Sequence, residues 1–199
     1  MNKQKIIDYF DSRAPFWDSE MIKDDTIISK ILSSAGLRPG MSVLDVACGT
    51  GVMIPYYLSL GAANVTGIDI SPEMVRIAAS KFGSDIVSIL CADAEDFVCS
   101  NHFDVIMIYN TFPHFTDQAG VLEHLCGLLS DGGTITVAHG MSRENIARCH
   151  EGAAREISLP LPPAEELALL LPEFKVVSIE DNDKMYLVTW EKQISRRMI

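Results

Sequence analysis

Glycine and acidic residues follow the first short apolar run of this 199-residue chain, in the segment Asp45-Val46-Ala47-Cys48-Gly49-Thr50-Gly51. Two glycines allow a tight turn and let a ligand approach the backbone, because no Cβ stands in the way. A helix that begins after such a turn also offers free backbone amides to a polar ligand group. The segment predicts a binding turn for a polar ligand. The alternative is that Gly49 and Gly51 only shape the chain.

Two more carboxylates follow the next two apolar runs. Asp69 lies eighteen residues after Gly51, and Asp93 stands in CADAEDF before Ala94. A carboxylate at the first position can accept hydrogen bonds from the vicinal hydroxyls of a ribose. It could instead cap the helix that Ser71 begins, or do both. Asp93 could accept a bond from the exocyclic amine of adenine, with the amide of Ala94 reaching a ring nitrogen.

Three histidines lie near the ends of later segments. His114 follows the fourth apolar run, His139 ends the fifth, and His150 lies in SRENIARCHEG. Imidazole has an ordinary pKa near neutrality, so each could serve as an acid or base toward an oxygen, nitrogen or thiol acceptor. We take His114 as the leading candidate; it could also simply bond backbone at a helix entry. Arg143 and His150 could together hold an acidic acceptor.

A metal is the other chemistry that three histidines could support. Their spacing matches no metal motif, so no metal site is predicted.

The order of elements explains how these residues could meet. Apolar runs at 41–47, 63–70, 85–92, 103–109 and 132–140 predict strands, and helical patterns separate them. Such alternation is typical of a parallel sheet with helices on both faces, whose strands carry ligand sites at their carboxyl ends. Runs at 174–181 and 185–191 lie three residues apart and predict a hairpin, so one strand must be antiparallel. Further helices are expected at about 2–11, 20–35, 142–154 and 163–171.

The successive segments VLDVACGTG, GIDIS, CADAEDF and LLSDGGTITV resemble the motifs of class I S-adenosylmethionine-dependent methyltransferases. In its overall sequence pattern the chain is similar to their small-molecule branch, which includes the quinone-biosynthesis methyltransferases. The resemblance implies an α/β fold: a Rossmann-like, doubly wound seven-stranded sheet, mostly parallel with the last strand antiparallel. It implies one domain over 1–199, with an N-terminal helical lid at 1–36, a cofactor-binding core at 41–140, and acceptor-side helices and the hairpin at 141–192.

The resemblance also implies roles for particular residues around S-adenosylmethionine. Asp45 and the turn from Gly49 to Gly51 would hold the methionine end, near Ala47, where many members have glycine. Asn110 would line the same moiety. The residues implied for the adenosine are Asp69 for the ribose, Ile70 packing on the adenine, and Asp93 with Ala94 at the adenine edge.

Aromatic residues near the N-terminus, in YFDSRAPFWD, are similar to a lid over the sulfonium. Tyr9 and Trp17 are the leading candidates, with Phe10 and Phe16 beside them. Aromatic faces attract cations, and closure would exclude water. The alternative is that this segment only packs on the edge of the domain. A similar choice applies to the leucine-rich stretch 155–173, which could cover an acceptor pocket or pack at the edge of the core.

Composition restricts the partners. Sixteen Lys and Arg against 27 Asp and Glu leave a net charge of −11, which disfavours nucleic acid and anionic membranes as partners. No apolar run reaches the length of a membrane span, and five scattered cysteines without a CxxC pair are typical of a reducing cytoplasm. The segment after the fourth strand lacks an N-P-P-Y or D-P-P-Y signature, which favours a small acceptor.

The sequence therefore predicts a cytoplasmic methyltransferase that uses S-adenosylmethionine on an O, N, S or C atom of a small molecule. Two alternatives are a non-catalytic module that binds this cofactor and, less favoured, a nicotinamide-dependent oxidoreductase. In the second, Ile54 would occupy the third glycine position of G-x-G-x-x-G. Monomer and homodimer both remain open.

Overall fold

A computed structural model describes residues 1–194, and these form one seven-stranded sheet with helices on both faces. The strands are β1 (Ser42–Val46), β2 (Asn64–Asp69), β3 (Val87–Cys91), β4 (Phe103–Tyr109), β5 (Leu129–His139), β6 (Lys175–Asp181) and β7 (Tyr186–Glu191). Their order across the sheet is β3-β2-β1-β4-β5-β7-β6. The first five pair in parallel, and β7 runs antiparallel to both β5 and β6. The predicted fold class is confirmed.

The helices divide the chain more finely than the sequence pattern predicts. They are α1 (Lys3–Arg13), α2 (Trp17–Glu20), α3 (Asp25–Ser34), α4 (Ile54–Ser59), α5 (Pro72–Phe82), α6 (Gln118–Cys126), α7 (Arg143–Cys149) and α8 (Ala164–Ala168). Short 3-10 segments lie at Ala14–Phe16, Phe112–His114 and Gly152–Ile157. None of the helices among residues 1–194 is long and apolar enough to cross a membrane.

Two predicted helices have different bounds because local capping overrides apolar spacing. The helix expected at 20–35 begins at Asp25, since the Asp24 carboxylate accepts hydrogen bonds from the amides of Thr26 and Ile27. The helix expected at 142–154 ends at Cys149, and Gly152, with a φ of +67°, starts a separate 3-10 segment.

Alternation along the strands builds a core on each face of the sheet. Leu44, Ile68 and Ile106 belong to one buried cluster, whereas Val43 and Val65 belong to the other. This is the period of two expected when successive side chains point to opposite faces. Because β1 and β4 are covered on both sides, the loops at their carboxyl ends are held on a rigid base.

The leucine-rich stretch 155–173 packs at the edge of the core. Leu161, Leu167 and Leu171 are buried in the same cluster as Trp190 of β7. The Trp190 indole N–H donates to the carbonyl of Ala168 at 3.1 Å, which ties α8 to the sheet. Of the two interpretations of this stretch, packing is the one the contacts support.

Candidate active site

One cavity of about 480 Å³ lies at the carboxyl ends of the parallel strands, under a roof formed by α1 and α2. We distinguish two groups of residues in its wall. The carboxylate end comprises Ala47, Gly49, Asp69, Asp93, Ala94 and Glu95; the histidine end comprises His114, His139, Met141, Ile146, His150 and Ala154. The cavity thus brings together residues from all three thirds of the chain.

Twelve of the fourteen residues predicted for the site lie in this wall. They are Tyr9, Trp17, Ala47, Gly49, Asp69, Ile70, Asp93, Ala94, Asn110, His114, His139 and His150. Asp45 and Gly51 lie outside the wall, and their role at the methionine end of the cofactor stays a prediction.

The turn after β1 is organised by the Asp69 carboxylate. Its two oxygens accept backbone N–H bonds from Gly49 and from Ser71, each at 2.8 Å. Burial raises the pKa of Asp69 to about 6, although both amide bonds oppose that shift. The carboxylate therefore joins the glycine turn to the start of α5, where the Ser71 hydroxyl caps the Met74 amide.

Gly51 is needed for packing. Its φ is +86°, and a Cβ there would lie 2.7 Å from the Phe82 ring. Its amide donates to the carbonyl of Cys48 at 2.9 Å, so it is not available to a ligand. The helix behind the turn begins only at Ile54.

Asp45 is almost completely buried, with 2% of its surface exposed. Its Oδ1 accepts a bond from the Tyr57 hydroxyl at 3.1 Å, while its Oδ2 has no hydrogen-bond partner. Burial, with a smaller contribution from the nearby Asp69, raises the pKa of this carboxyl to about 7, although the bond from Tyr57 opposes the shift. The group is a buried acid outside the cavity wall.

An ion pair closes the far side of the carboxylate end. The Lys3 ammonium of α1 lies 2.5 Å from Asp93 and 2.8 Å from Glu95. Burial alone would raise the pKa of Glu95, but bonds from Lys3 and Thr116 lower it to about 2. The same two carboxylates raise the pKa of Lys3 in spite of its partial burial. Sequence reasoning missed Lys3 and Glu95, because ninety residues separate Lys3 from Asp93.

Two further carboxylates attach the roof to the core. Asp11 of α1 accepts bonds from the Ser71 hydroxyl at 2.5 Å and the Glu73 amide at 3.2 Å, at the start of α5. Asp18 of α2 accepts from the Thr50 hydroxyl and pairs with Lys81. The sequence contains no local signal for either contact.

The underside of the roof is aromatic. The Phe10 ring is the centre, with ring-centroid distances of 5.3 Å to Tyr9, 5.6 Å to Trp17 and 5.0 Å to His114. The Trp17 indole nitrogen stands 3.7 Å from where a Cβ on Gly49 would be. Phe16, in contrast, is 56% exposed and lies outside the wall, so it is not part of a lid over the cavity.

His114 is held in a defined orientation. Its Nδ1 lies 2.9 Å from the carbonyl oxygen of Ile157 and 3.3 Å from the Ser158 hydroxyl, whose own hydrogen is directed to the carbonyl of Ala154. A carbonyl only accepts, so we assign the proton to Nδ1, which leaves a lone pair on Nε2. Burial lowers the pKa of His114 to about 4. The ring is therefore neutral and basic at Nε2 near pH 7.

The other two histidines complete this end of the cavity. The His150 ring lies 4.9 Å from that of His114, and burial lowers its pKa. His139 is 3% exposed and its Nε2 has no hydrogen-bond partner. Burial, with the neighbouring His114 and His150, lowers the pKa of His139 to about 3. The three histidines therefore line the same cavity.

Arg143, a candidate partner of His150, pairs with Asp181 through its Nε at 3.0 Å and lies outside the cavity wall, so the structure does not bring it together with His150 there. Among residues 1–194, the structure contains no cluster of three or more His, Cys, Asp or Glu side chains arranged as metal ligands. Asn110, with a φ of +55°, accepts a bond from the Gly140 amide at 2.9 Å and joins the ends of β4 and β5.

Comparison with known proteins identifies the fold and its cofactor. Residues 44–137 match a family described as a methyltransferase domain. The ubiquinone biosynthesis O-methyltransferase of Xanthomonas campestris pv. campestris is 31% identical over 139 residues, 68% of this chain and 54% of that protein. The chain belongs to the class I S-adenosylmethionine-dependent methyltransferases. This methyltransferase spans about half the length of the curated relatives it matches.

Other similar proteins agree with that assignment. The malonyl-[acyl-carrier protein] O-methyltransferase of Acetivibrio thermocellus is 29% identical over 132 residues, 63% of this methyltransferase and 46% of that protein. The N-methyltransferase NodS of Bradyrhizobium japonicum, solved with S-adenosyl-L-homocysteine, superposes with a TM-score of 0.74 at 13% identity, covering 96% of this chain and 99% of that one. The [4+2]-cyclase SpnF superposes with a TM-score of 0.78 at 19% identity, over 98% and 97% of the two chains. These structural similarities concern the fold.

Proposed function

We propose that this methyltransferase transfers a methyl group from S-adenosylmethionine to a small molecule bound at the histidine end of the cavity. One observation carries the proposal. A buried carboxylate that accepts an amide of the glycine turn, Asp69, and an oriented neutral imidazole, His114, line the same cavity. Asp69 would belong to the cofactor site, and His114 would accept the proton.

The carboxylate end suits the charge and shape of the cofactor. Each oxygen of Asp69 accepts one amide and keeps a second lone pair, so it can also accept from ribose hydroxyls. Ile70, Asp93 and Ala94 stand where the adenine would lie. The open side of Gly49, with no atom nearer than the Trp17 indole, leaves room beside the turn for the methionine part.

Other predicted residues would contribute less directly. Ala47 and Asn110 would line the methionine part, both with positive φ values that the strand ends impose. Asp45 would act without touching the cofactor. Its unpartnered oxygen would stabilise the positive charge of the cofactor at a distance. Gly51 would keep the turn tight.

The roof would shield the reacting centre. Tyr9 and Trp17 line the cavity together with Phe10, and their ring faces would favour a cationic group beneath them. The contacts of Asp11 and Asp18 with the core would hold these rings down and exclude water.

His114 would take the proton of the acceptor. When bound, S-adenosylmethionine supplies an electrophilic methyl group, with the carbon–sulfur electron pair leaving on the sulfur. The lone pair on Nε2 of His114 would accept the hydrogen of an O–H, N–H or S–H group as that atom attacks, and the bond from Nδ1 to the Ile157 carbonyl would hold the ring in place. The imidazolium would then return its proton to water.

The names of the relatives favour an oxygen acceptor. Proteins similar to this chain are named as O-methyltransferases of ubiquinone biosynthesis and of malonyl-[acyl-carrier protein]. We further propose a cytoplasmic location, because the five cysteines remain free thiols.

A pair of aspartate variants tests the cofactor site. Calorimetry with S-adenosylmethionine should show at least tenfold weaker binding for Asp69→Ala than for the wild type, because two backbone amides and the ribose would lose their acceptor. Asp117→Ala is the matched control: Asp117 also caps a helix, accepting from the Gly120 amide, but it is not part of the cavity. Equal affinity for all three proteins would remove Asp69 from the cofactor site.

Catalysis needs a second measurement. The wild-type protein, incubated with S-adenosylmethionine and a small-molecule cell extract, should produce S-adenosylhomocysteine, and should not do so without the extract. Tight cofactor binding with no such turnover in any extract would favour the alternative of a non-catalytic module.

A further inference from the structure

Helix α1 passes over both ends of the cavity. Spaced by three, four and three residues, four of its side chains share one face and line the wall: Lys3, Ile6, Phe10 and Arg13. Because an α-helix rises about 1.5 Å per residue, Lys3 and Phe10 lie about 10 Å apart along α1. Lys3 contacts Asp93 at the carboxylate end. Phe10 is the residue through which α1 reaches the histidine end.

The ring of Phe10 contacts the imidazole of His114. The two ring centroids are 5.0 Å apart and the ring planes meet at 83°, which is the edge-to-face arrangement that aromatic pairs favour. On its other side Phe10 contacts Trp17 of the roof, with the centroids 5.6 Å apart. Phe10 therefore joins the roof to the residue that we propose as the base.

A histidine ring needs contacts of this kind to keep one orientation. The torsion that joins an imidazole to its Cβ is broad, so the ring turns about it unless its surroundings prevent that. The contact of Nδ1 with the Ile157 carbonyl fixes one atom of the His114 ring. The ring of His150 contacts it from the end of α7, at 4.9 Å and 74°. Phe10 adds the contact from the roof.

The Nε2 atom of His114 is not fixed by a bond of its own. The His114 side chain is partly exposed, and its Nε2 is not one of the buried atoms without a partner, in contrast to that of His139. Among residues 1–194, no hydrogen bond joins Nε2 of His114 to another group. Contacts elsewhere on the ring therefore decide in which direction the Nε2 lone pair points.

Phe10 is itself held by the attachment of the roof. The next residue, Asp11, accepts a bond from the Ser71 hydroxyl at 2.5 Å, at the start of α5. Arg13, three residues beyond Phe10, pairs with Glu20 of α2. A ring carried on a helix that is attached at these points can restrict the rotation of a neighbouring ring.

We propose that Phe10 is a positioning residue for His114. Its ring holds the imidazole so that Nδ1 stays on the Ile157 carbonyl and the Nε2 lone pair keeps one direction. This inference rests on the proposed function, in which that lone pair takes the proton of the acceptor. It adds that the roof, besides excluding water, sets the orientation of the base.

Nuclear magnetic resonance tests the contact without any ligand. In protein labelled with nitrogen-15 in its histidine rings, the two nitrogen signals of each ring show which atom carries the proton. At pH 7.5 the His114 signals, identified by their loss in His114→Gln, should show the proton on Nδ1. Phe10→Leu should shift them toward a mixture of the two neutral forms, because the loosened ring leaves the Ile157 carbonyl part of the time. Unchanged His114 signals in Phe10→Leu would overturn the inference.

Two further variants separate positioning from a general loss of packing. Phe10→Tyr keeps the ring and should keep the wild-type signals of His114. Phe16→Leu is the matched control, because Phe16 also belongs to the roof segment but is 56% exposed and lies outside the wall. It too should leave the His114 signals unchanged. If Phe16→Leu or Phe10→Tyr shifted them as much as Phe10→Leu does, the ring contact would not be the cause and the inference would fail.

Turnover and cofactor affinity separate this inference from the proposed function. With S-adenosylmethionine and the small-molecule cell extract, Phe10→Leu should form S-adenosylhomocysteine about tenfold more slowly or less, with cofactor affinity changed less than about fivefold, because orientation and not binding is lost. Shifted His114 signals with wild-type turnover, or weaker cofactor binding with wild-type signals, would overturn the inference alone. A wild-type protein that shows no turnover in any extract would overturn the proposed function, whatever the His114 signals show.

Discussion

The two ends of the cavity are built by different means. At the carboxylate end, Asp69 is held by backbone amides of Gly49 and Ser71, both close to it in the strand–turn–helix pattern. At the histidine end, the His114 ring lies 4.9 Å from that of His150, and its Nδ1 lies 2.9 Å from the carbonyl oxygen of Ile157. The bonds of Asp69 join neighbouring parts of the strand–turn–helix pattern, whereas the contacts of His114 join segments far apart in the sequence.

The two ends also respond oppositely to burial. Loss of hydration raises the pKa of Asp45 to about 7 and of Asp69 to about 6, but lowers the pKa of His114 to about 4. Near neutral pH the carboxyls of Asp45 and Asp69 are therefore close to their pKa values, whereas the ring of His114 is neutral. The opposite directions follow from the same cause, since burial disfavours the charged form of an acid and of a base alike.

The largest expected effect comes from the histidine end. His114→Gln should lower kcat about 100-fold or more, because general-base assistance is typically worth 10²–10⁴-fold. The affinity for S-adenosylmethionine should stay within a factor of about two, since the ring lies outside the carboxylate end. Steady-state kinetics and calorimetry on one preparation give both numbers.

His124→Gln is the matched control. The Nε2 of His124 also lies close to a backbone carbonyl, that of Phe97 at 2.7 Å, but the side chain is not in the cavity wall. Its kcat should equal that of the wild type. If His114→Gln loses cofactor affinity instead of kcat, the distinction between the two ends breaks down.

An intermediate effect is expected in the pH dependence of stability. The pKa of His139 is lowered in the folded state from 6.5 to about 3. Its contribution to the free energy of unfolding is therefore complete above pH 6.5 and is lost as the pH falls toward 3. The pKa of Asp45 is raised from 3.8 to about 7, so its contribution is complete below pH 3.8 and is lost as the pH rises toward 7. The two slopes oppose each other between about pH 4 and 6.5.

Variants with neutral side chains should show the two effects separately. The free energy of unfolding is measured by urea unfolding at several pH values, and its slope against pH is compared between proteins. Asp45→Asn removes the carboxyl slope, so its free energy of unfolding should rise more steeply with pH than that of the wild type. His139→Gln removes the histidine slope and should do the reverse. Parallel curves for all three proteins would show that burial does not perturb the two ends in opposite directions.

The smallest expected effect concerns the attachment of the roof. Lys3→Met removes the ammonium that joins α1 to Asp93 and Glu95, yet its side chain is 41% exposed. Pairs of this kind contribute about 0–1 kcal/mol, so cofactor affinity should change by less than about fivefold. Lys5→Met, which removes the pair with Glu156 on the outer side of α1, is the control. A hundredfold change in Lys3→Met alone would make the roof contact a main determinant of cofactor binding.

Much of the fold could be predicted from the order of apolar runs. Each of the five parallel strands and both hairpin strands appears where the sequence pattern indicates. For β1 and β4 the reason is that strands buried on both faces need continuous apolar segments. The errors concern ends of elements: the fifth strand was expected at 132–140 but begins at Leu129. Helix ends depend on side-chain caps such as Asp24, which periodicity does not detect.

The candidate site was predictable to a different degree at each end. Asp69 and Asp93 could be found because they directly follow strands, and parallel strands bring their carboxyl ends together. The supporting contacts of Lys3 and Asp11 could not, because the path of α1 over the sheet is set by its packing. Phe16 and Arg143 were misplaced for the same reason: spacing on a helix defines a face but not what that face meets.

By itself the sequence determined the fold class, the glycine turn, the strand-end carboxylates and three histidines near one edge of the sheet. Only the tertiary structure decided that Asp45 and Gly51 lie outside the cavity wall, that the Lys3 and Arg13 charges are already paired, and that His139 is left without a partner at Nε2. The physical reason is the distance along the chain over which each property is set. Turn geometry and strand burial are local properties of a few residues, whereas charge pairing, desolvation and hydrogen-bond satisfaction depend on every group that folding brings near.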